Sequence, residues 1–110
     1  MMEEEYKHKE LTQKIISQCY YIQNKLGSGF LEKVYEKALI KKLKDINLRV
    51  EEQYPIKVSF EGEIIGEYIA DIIVENKVII ELKAVEKLNK IYEIQLVNYL
   101  KATGIEVGLL

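Results

Sequence analysis

The sequence predicts a layered domain of the α/β class, in its α+β form, with the element order α-α-β-β-β-α-β. Two residue patterns along the chain indicate this order. Residues 9–44 repeat apolar side chains at the spacing of amphipathic helices, whereas residues 47–84 are rich in β-branched and aromatic residues interrupted by turns. The chain has 110 residues, 48% of them hydrophobic, which suits one domain over 1–110 with a polar segment at 1–9.

Two helices are predicted before the strands. In the first, spacings of four, four, three and four place five apolar residues on one face: Leu11, Ile15, Cys19, Ile22 and Leu26. Cys19 is therefore predicted to be a core residue, and Gly27 is predicted to end the helix. The second helix is predicted over 30–44. Its apolar stripe consists of Leu31, Val34, Tyr35, Ala38, Leu39 and Leu43.

Three strands follow, separated by two tight turns. The first alternates apolar and polar residues from Ile56 to Phe60. It is predicted to be an edge strand, because Pro55 has no N–H to donate to a neighbour. The second strand is predicted over 64–74, with Gly66 marking a bulge or a close backbone approach, and the third over 78–84.

The last part of the chain predicts one more helix and one more strand. The helix covers 90–102, and the strand is read from IEVGLL at 105–110. An apolar strand is an unusual place for a chain to stop. This leaves open whether the natural chain extends past Leu110.

Composition excludes several classes of function. The net charge of -2 and the pI of about 5.5 exclude a general nucleic-acid-binding field, so such contacts need a local basic patch. The single cysteine excludes an internal disulfide and fits a reducing, cytoplasmic setting. With only one histidine as well, a Cys/His zinc site is excluded in a monomer. No apolar run is long enough to span a bilayer, so no membrane partner is expected.

One local basic patch is present on the second helix. Its members are Lys33, Lys37, Lys41 and Lys44, at spacings of four, four and three, with Glu36 and Asp45 interrupting it little. This stripe is the best candidate for contacts with a phosphate backbone. The alternative is a solubilising helix face.

Three charged side chains stand inside the most apolar stretch, ADIIVENKVIIELKA at residues 70–84. With Asn76 at the centre of the turn, Asp71 lies opposite Glu81, and opposed residues of an antiparallel pair point to the same side. Lys83 follows on the same side of its strand. The three charges are therefore predicted to gather on one face, at the end of the hairpin away from the turn.

Two carboxylates side by side need a compensating positive charge, because opposed like charges destabilise a sheet and burial increases the repulsion. Lys83 could neutralise one of them, whereas a divalent cation that prefers oxygen ligands, Mg²⁺ or Mn²⁺, would neutralise both. The alternative is an ordinary polar strand end at which Lys83 and water suffice. A register shift by one residue would send Asp71 and Glu81 to opposite faces.

Several stretches of the chain resemble a known family. GSGFLEKVYEKAL contains Gly29-x-x-Glu32-x-x-Tyr35, the signature of the small GxxExxY proteins of the PD-(D/E)XK nuclease superfamily, and YIADIIVENKVIIELKAVEKL and IQLVNYLKATGIEVGLL are similar to that family too. The resemblance implies a small mixed sheet flanked by helices, α-β-β-β-α-β, here with one helix in front. Ala70 replaces the proline of the superfamily motif, which carries no catalytic atom.

The resemblance also implies site residues. Asp71 and the Glu81-x-Lys83 pair would form a metal-dependent phosphodiesterase site. There Asp71 and Glu81 bind Mg²⁺ or Mn²⁺, and Lys83 orients or deprotonates the water or stabilises the developing charge. Glu32 becomes a candidate outer ligand or water-holder. Without the resemblance, Glu32 is a solvated helix residue.

Two residues of the third helix complete the candidate set. Gln95 and Tyr99 are spaced i, i+4 and share a face. Gln95 matches a position where superfamily members often carry a polar site residue, so it could bind phosphate or support Lys83. Tyr99 either stacks on a base or packs in the core.

Two functions from different classes stay open at this point. The first is a metal-dependent nuclease-like protein that hydrolyses DNA or RNA, favoured by the intact Asp71, Glu81 and Lys83. The second is a non-catalytic module that keeps the nuclease fold to bind nucleic acid or a protein, favoured by the acidic pI and the small size. A structural oligomerisation domain is third, and the oligomeric state is left open.

Overall fold

The computed structural model describes residues 8–83, 90–103 and 107–109. The elements follow in the predicted order and form an α+β fold. They are α1 (Lys9–Leu26), α2 (Glu32–Asp45), β1 (Val50–Phe60), β2 (Glu63–Val74), β3 (Val78–Ile80), α3 (Lys90–Thr103) and β4 (Val107–Leu109). Most of the polar segment predicted at 1–9, and Ala84 at the predicted end of the third strand, lie outside the described residues.

The four strands form one mixed sheet in the order β1-β2-β3-β4. The first three are antiparallel, and β3 pairs with β4 in parallel. Within the described residues β1 lies at an edge, as its proline predicts, and Pro55 is placed opposite Ile69. The family resemblance predicts such a mixed sheet, and this prediction is confirmed.

Helices cover both faces of the sheet. On one face, side chains of α1 and α2 pack against β2 and β3: Ile15, Ile22, Leu39, Ile40 and Leu43 against Ile72, Val74, Val78 and Ile80. On the other face, Leu96 and Tyr99 of α3 pack in a cluster with Ile56, Ala70, Ile73 and Ile79. Burying each large side chain contributes roughly 1.5–3 kcal/mol. Both faces of β3 and of the end of β2, Ile72–Val74, are buried, which explains why these segments are continuous apolar runs.

The β2–β3 hairpin has the predicted register. Val74 pairs with Val78 and Ile72 with Ile80. Glu75 and Asn76 both have left-handed φ angles of 52° and 55°, and the Lys77 N–H donates to the Val74 carbonyl at 2.9 Å. A turn with two left-handed central residues matches the twist of an antiparallel pair. The turn therefore sets the register that brings Asp71 level with Glu81.

The β1–β2 hairpin contains the predicted bulge. Val58 pairs with Gly66 but Ser59 pairs with Ile64, so Ile65 is the extra residue. The bulge lies directly beside Gly66, and it increases the local twist of the pair.

The apolar stripe predicted for α2 is confirmed in its second half, where Leu39 and Leu43 are buried and Tyr35 and Ala38 pack against the core, but not at its beginning. Leu31 and Val34, assigned to its apolar stripe, are 79% and 39% exposed, whereas Glu36 and Ile40 are buried. The buried face thus also includes these two residues, which lie three to four positions from Leu39 and Leu43. Apolar spacing did not find Glu36 because its side chain is charged.

The prediction that Cys19 is a core residue is also wrong, since its side chain is exposed. It lies on the predicted face of α1, but it lines a groove that opens between α1 and the beginning of α2. The buried residues of α1 are Thr12, Ile15 and Ile22. Cys19 is exposed although it lies on the apolar face of α1, because α2 does not cover this part of the helix.

Candidate active site

Asp71 and Glu81 are held together by two reciprocal hydrogen bonds. The Asp71 main-chain N–H donates to Glu81 Oε2 at 2.9 Å, and the Leu82 N–H donates to Asp71 Oδ2 at 2.9 Å. These bonds between side chain and main chain take the place of strand pairing. For this reason β3 ends at Ile80, whereas the sequence predicted that it would end at 84. The two carboxylates therefore lie next to each other just past the last strand pair.

The pair carries more negative charge than its surroundings favour. Glu81 is 4% exposed. Burial, together with the charges of Asp71 and Glu36, raises its pKa to about 7, against the hydrogen bond from Asp71 and the charge of Lys83. The pKa of Asp71 is also raised, first by burial and then by Glu36 and Glu32. A proton or a metal ion would relieve this repulsion.

Lys83 does not compensate for the two carboxylates. Its ammonium lies 4.8 Å from the centre of the Tyr92 ring, in a cation–π contact. Its positive charge lowers the pKa of both carboxyls, but burial outweighs it and both pKa values stay raised. The alternative of an ordinary strand end neutralised by Lys83 is therefore disfavoured.

Without divalent cations, protein stability should depend on pH through Glu81. Its folded-state pKa of about 7 lies above the usual value of 4.5, so the folded state binds more protons between these values. Its stabilising contribution is full below pH 4.5 and is lost as the pH rises through about 7. Above that pH we expect the free energy of unfolding of Glu81→Gln to be roughly 1–3 kcal/mol higher than that of wild type, so the variant is more stable.

Urea denaturation in a chelator at several pH values measures this difference. Subtracting the Glu81→Gln curve from the wild-type curve removes the contribution of the titrating groups that do not interact with Glu81. Stability curves that stay parallel for the two proteins across this range would contradict the raised pKa.

Sequence reasoning missed a third carboxylate, Glu36, which is 5% exposed. Lys33 Nζ lies 3.3 Å from its Oε1, and Gln53 Nε2 donates to its Oε2 at 2.8 Å. Its charge raises the pKa of both Asp71 and Glu81, so it lies within electrostatic reach of the pair. The sequence signal that could have found Glu36 is its spacing. It lies three, four and seven positions before residues 39, 40 and 43, which are all buried.

Glu32 and Lys83 line the same groove, which has a volume of about 1140 Å³ and lies between the end of α1, the loop 28–31 and the beginning of α2. Tyr35 stabilises the loop 28–31. Its hydroxyl donates to the Gly27 carbonyl at 2.6 Å and accepts from the Phe30 N–H at 3.2 Å. Gly29 has a φ of 107°, which favours glycine. The glycine and tyrosine of Gly29-x-x-Glu32-x-x-Tyr35 therefore shape the loop that precedes Glu32.

The structure does not bring Gln95 into that groove. Gln95 lines a second groove, of about 750 Å³, between α3 and the β1–β2 hairpin. Tyr99 is 5% exposed, and its ring centre lies 5.8 Å from that of Tyr68. Burial and the charges of Glu81 and Asp71 raise the pKa of Tyr99. Tyr99 therefore packs in the core beneath the carboxylate pair, and stacking on a base is disfavoured.

The lysines of the basic stripe are all exposed. Lys33 is bonded to Glu36, and Lys41 Nζ lies 3.0 Å from an Asp45 carboxylate oxygen. Lys37 and Lys44 complete the exposed face of α2.

The carboxylate pair fits a small oxygen-preferring cation. Across residues 8–83 and 90–103, no three acidic, histidine or cysteine side chains converge closely enough to hold a metal ion by themselves. Asp71 and Glu81 each use one oxygen in a main-chain hydrogen bond, and a carboxylate has two oxygens that accept. Mg²⁺ is commonly bound through one or two carboxylates and keeps several waters. A pair is therefore sufficient protein ligation for this class of ion.

Comparison with known proteins places the chain in a family. Residues 9–110 match a family model described as the PD-(D/E)XK nuclease superfamily. Neither the curated proteins nor the solved structures gave a match. In the described part of the chain, no helix is both long enough and apolar enough to cross a membrane. Since the family model spans nearly the whole sequence, the chain belongs to the PD-(D/E)XK nuclease superfamily.

Proposed function

We propose that this protein is a divalent-metal-dependent nuclease that hydrolyses phosphodiester bonds in DNA or RNA. One observation carries the proposal: half-buried Asp71 and buried Glu81, whose pKa values are raised, lie side by side at the end of the hairpin, and Lys83 follows two residues after Glu81. A superfamily whose nucleases generally use divalent metals supports it. Within that superfamily, the residues Gly29, Glu32 and Tyr35 favour the GxxExxY proteins.

The residues of the site take separate roles in this proposal. Asp71 and Glu81 hold Mg²⁺ or Mn²⁺, which when bound polarises the scissile phosphate and lowers the pKa of a water. Lys83 orients that water or stabilises negative charge on the phosphate oxygens as the bond to the leaving oxygen breaks. Glu36 adds negative charge behind the pair. Glu32, at the groove shared with Lys83, is the outer ligand or water-holder.

Substrate binding is assigned to the exposed face of α2. Lys33, Lys37 and Lys41 point into solvent from the helix that also carries Glu32 and Glu36. Contacts with phosphates from this face would make binding depend on salt concentration. Gln95 has no role at the metal site in this proposal, because it lines the second groove. A cytoplasmic location is part of this proposal.

The testing experiment is a nuclease assay on a mixture of single- and double-stranded DNA and RNA with Mn²⁺ or Mg²⁺. Wild type should cleave at least one of these, and Asp71→Ala should be inactive because half of the protein ligation is lost. Asp45→Ala, which removes an exposed carboxylate paired with Lys41, is the control and should retain activity. Cleavage by Asp71→Ala at the wild-type rate would exclude this site.

The second candidate is a nuclease-fold module that binds nucleic acid or a protein without cleaving it. The observation in its favour is that only two carboxylates converge among the described residues, while Glu36 is engaged by Lys33 and Gln53. Nucleic-acid binding by wild type with no cleavage of any substrate would favour this candidate.

A further inference from the structure

Gln53 has a backbone conformation that glutamine rarely adopts. It lies within β1, yet its φ is +49°, in the left-handed region. In the ladder Glu52 pairs with Ile72 and Tyr54 with Ala70, whereas the residues between them, Gln53 and Asp71, are not paired. A side chain with a Cβ is strained in this region, and such strain often lies at functional sites. Here it lies directly opposite a candidate metal ligand.

The strained residue coincides with a reversal of the sheet faces. The cluster on α3 contains Ala70 and Ile73, which are three residues apart and would point to opposite faces in a regular strand. The Tyr68 ring also contacts Tyr99 of α3, so even-numbered side chains of β2 face α3 up to residue 70. Between 70 and 73 the alternation reverses. Asp71 therefore occupies the point at which β2 changes the face that it presents to α3.

The Gln53 side chain reaches across to the buried carboxylate of α2. Its Nε2 donates to Glu36 Oε2 at 2.8 Å, while Lys33 engages Oε1. Glu36 is 5% exposed, whereas Gln53 is an exposed residue of the edge strand. The contact thus contributes little apolar burial. Its physical effect is to orient the Glu36 carboxylate from the position on β1 that lies directly opposite Asp71.

We infer that Gln53 is a positioning residue of the candidate metal site, which from a strained conformation holds the Glu36 carboxylate toward the Asp71–Glu81 pair and so strengthens divalent-cation binding. This inference rests on the proposed function. Partners that orient charged groups around a metal site commonly contribute tenfold or more to metal affinity. In this arrangement Gln53 acts on the two ligands through Glu36.

The test is Mn²⁺ affinity, titrated by electron paramagnetic resonance and by calorimetry, for Gln53→Ala and Gln53→Gly. Both variants lose the amide, so both should bind Mn²⁺ about tenfold more weakly than wild type. Glycine tolerates the left-handed conformation and alanine does not, so the glycine variant should melt several degrees above the alanine variant. Gln53 is exposed, so neither change leaves a cavity in the core.

Glu61→Gly is the matched control. Glu61 is an exposed turn residue with the same φ of 49°, so this variant gains the same backbone freedom far from the site. It should bind Mn²⁺ as wild type does. An equal loss of Mn²⁺ affinity in Glu61→Gly would show that relaxing a left-handed residue is enough, and would overturn the assignment to Gln53.

A double-mutant cycle with Glu36→Gln tests whether Gln53 acts through Glu36. In that background Gln53→Gly should cause no further loss of Mn²⁺ affinity, because the charge that it positions is absent. A full additional loss would overturn the inference. If wild type binds Mn²⁺ and both single Gln53 variants bind it equally well, the inference alone fails. If wild type binds no Mn²⁺, the proposed metal site fails and the inference with it.

Discussion

Replacing Lys83 with methionine should lower the rate of nucleic-acid cleavage about 100-fold to 1000-fold, judging from the loss of comparable electrostatic groups in other enzymes. Methionine keeps most of the side-chain volume and removes the charge. The ammonium lies near Tyr92 and two residues from Glu81, so its charge is available to the water or to the phosphate oxygens during bond breaking. Affinity for nucleic acid should change little, because one cation among several exposed lysines contributes a small part of phosphate binding.

The measurement combines cleavage rate, nucleic-acid binding and melting temperature. Lys77→Met, at the turn of the same hairpin, is the control and should behave as wild type. A Lys83→Met protein that cleaves at the wild-type rate would remove Lys83 from the catalytic assignment. If neither wild type nor variant cleaves any substrate and only stability falls, the non-catalytic module is favoured, because a carboxylate then loses its positive neighbour.

Mn²⁺ or Mg²⁺ should raise the melting temperature of wild type and not that of Glu81→Gln. An ion that binds only the folded state stabilises it by about 2.7 kcal/mol at a hundred times its Kd, which corresponds to roughly 10 °C for a domain of this size. Burial raises the pKa of Glu81 and the charge of Asp71 raises it further, so the ionised Glu81 carboxylate is unfavourable when no cation is bound. Glu81→Gln should therefore keep or increase the metal-free stability while losing the response.

Thermal melts with increasing cation concentration, at a pH above 7 where Glu81 is ionised, give the comparison. Glu67→Gln removes an exposed strand carboxylate placed opposite Lys57, and this control should keep the full response to the ion. An equal thermal shift in wild type and Glu81→Gln would mean that the cation binds elsewhere.

The sequence alone predicted the parts of this structure that depend on neighbours along the chain. Apolar spacing and turn residues are local signals, and they predicted the order of all seven elements, the edge position marked by Pro55 and the bulge beside Gly66. The hairpin register also follows from a short turn, so placing Asp71 level with Glu81 needed only the residues between them. Both predicted metal ligands came from this one local unit.

Only the tertiary structure decided the surroundings of that pair. How far the buried face of α2 extends depends on its packing against α1 and the sheet, and a search for apolar spacing does not find a glutamate within that face. Glu36 is hydrogen-bonded to Gln53, seventeen positions away, and Gln53 reaches it from a left-handed conformation that no local propensity predicts. The same dependence on packing left Cys19 exposed and placed Gln95 in the second groove. Local pattern therefore predicted which residues would carry the proposed chemistry, and long-range packing determined the charges and hydrogen bonds that surround them.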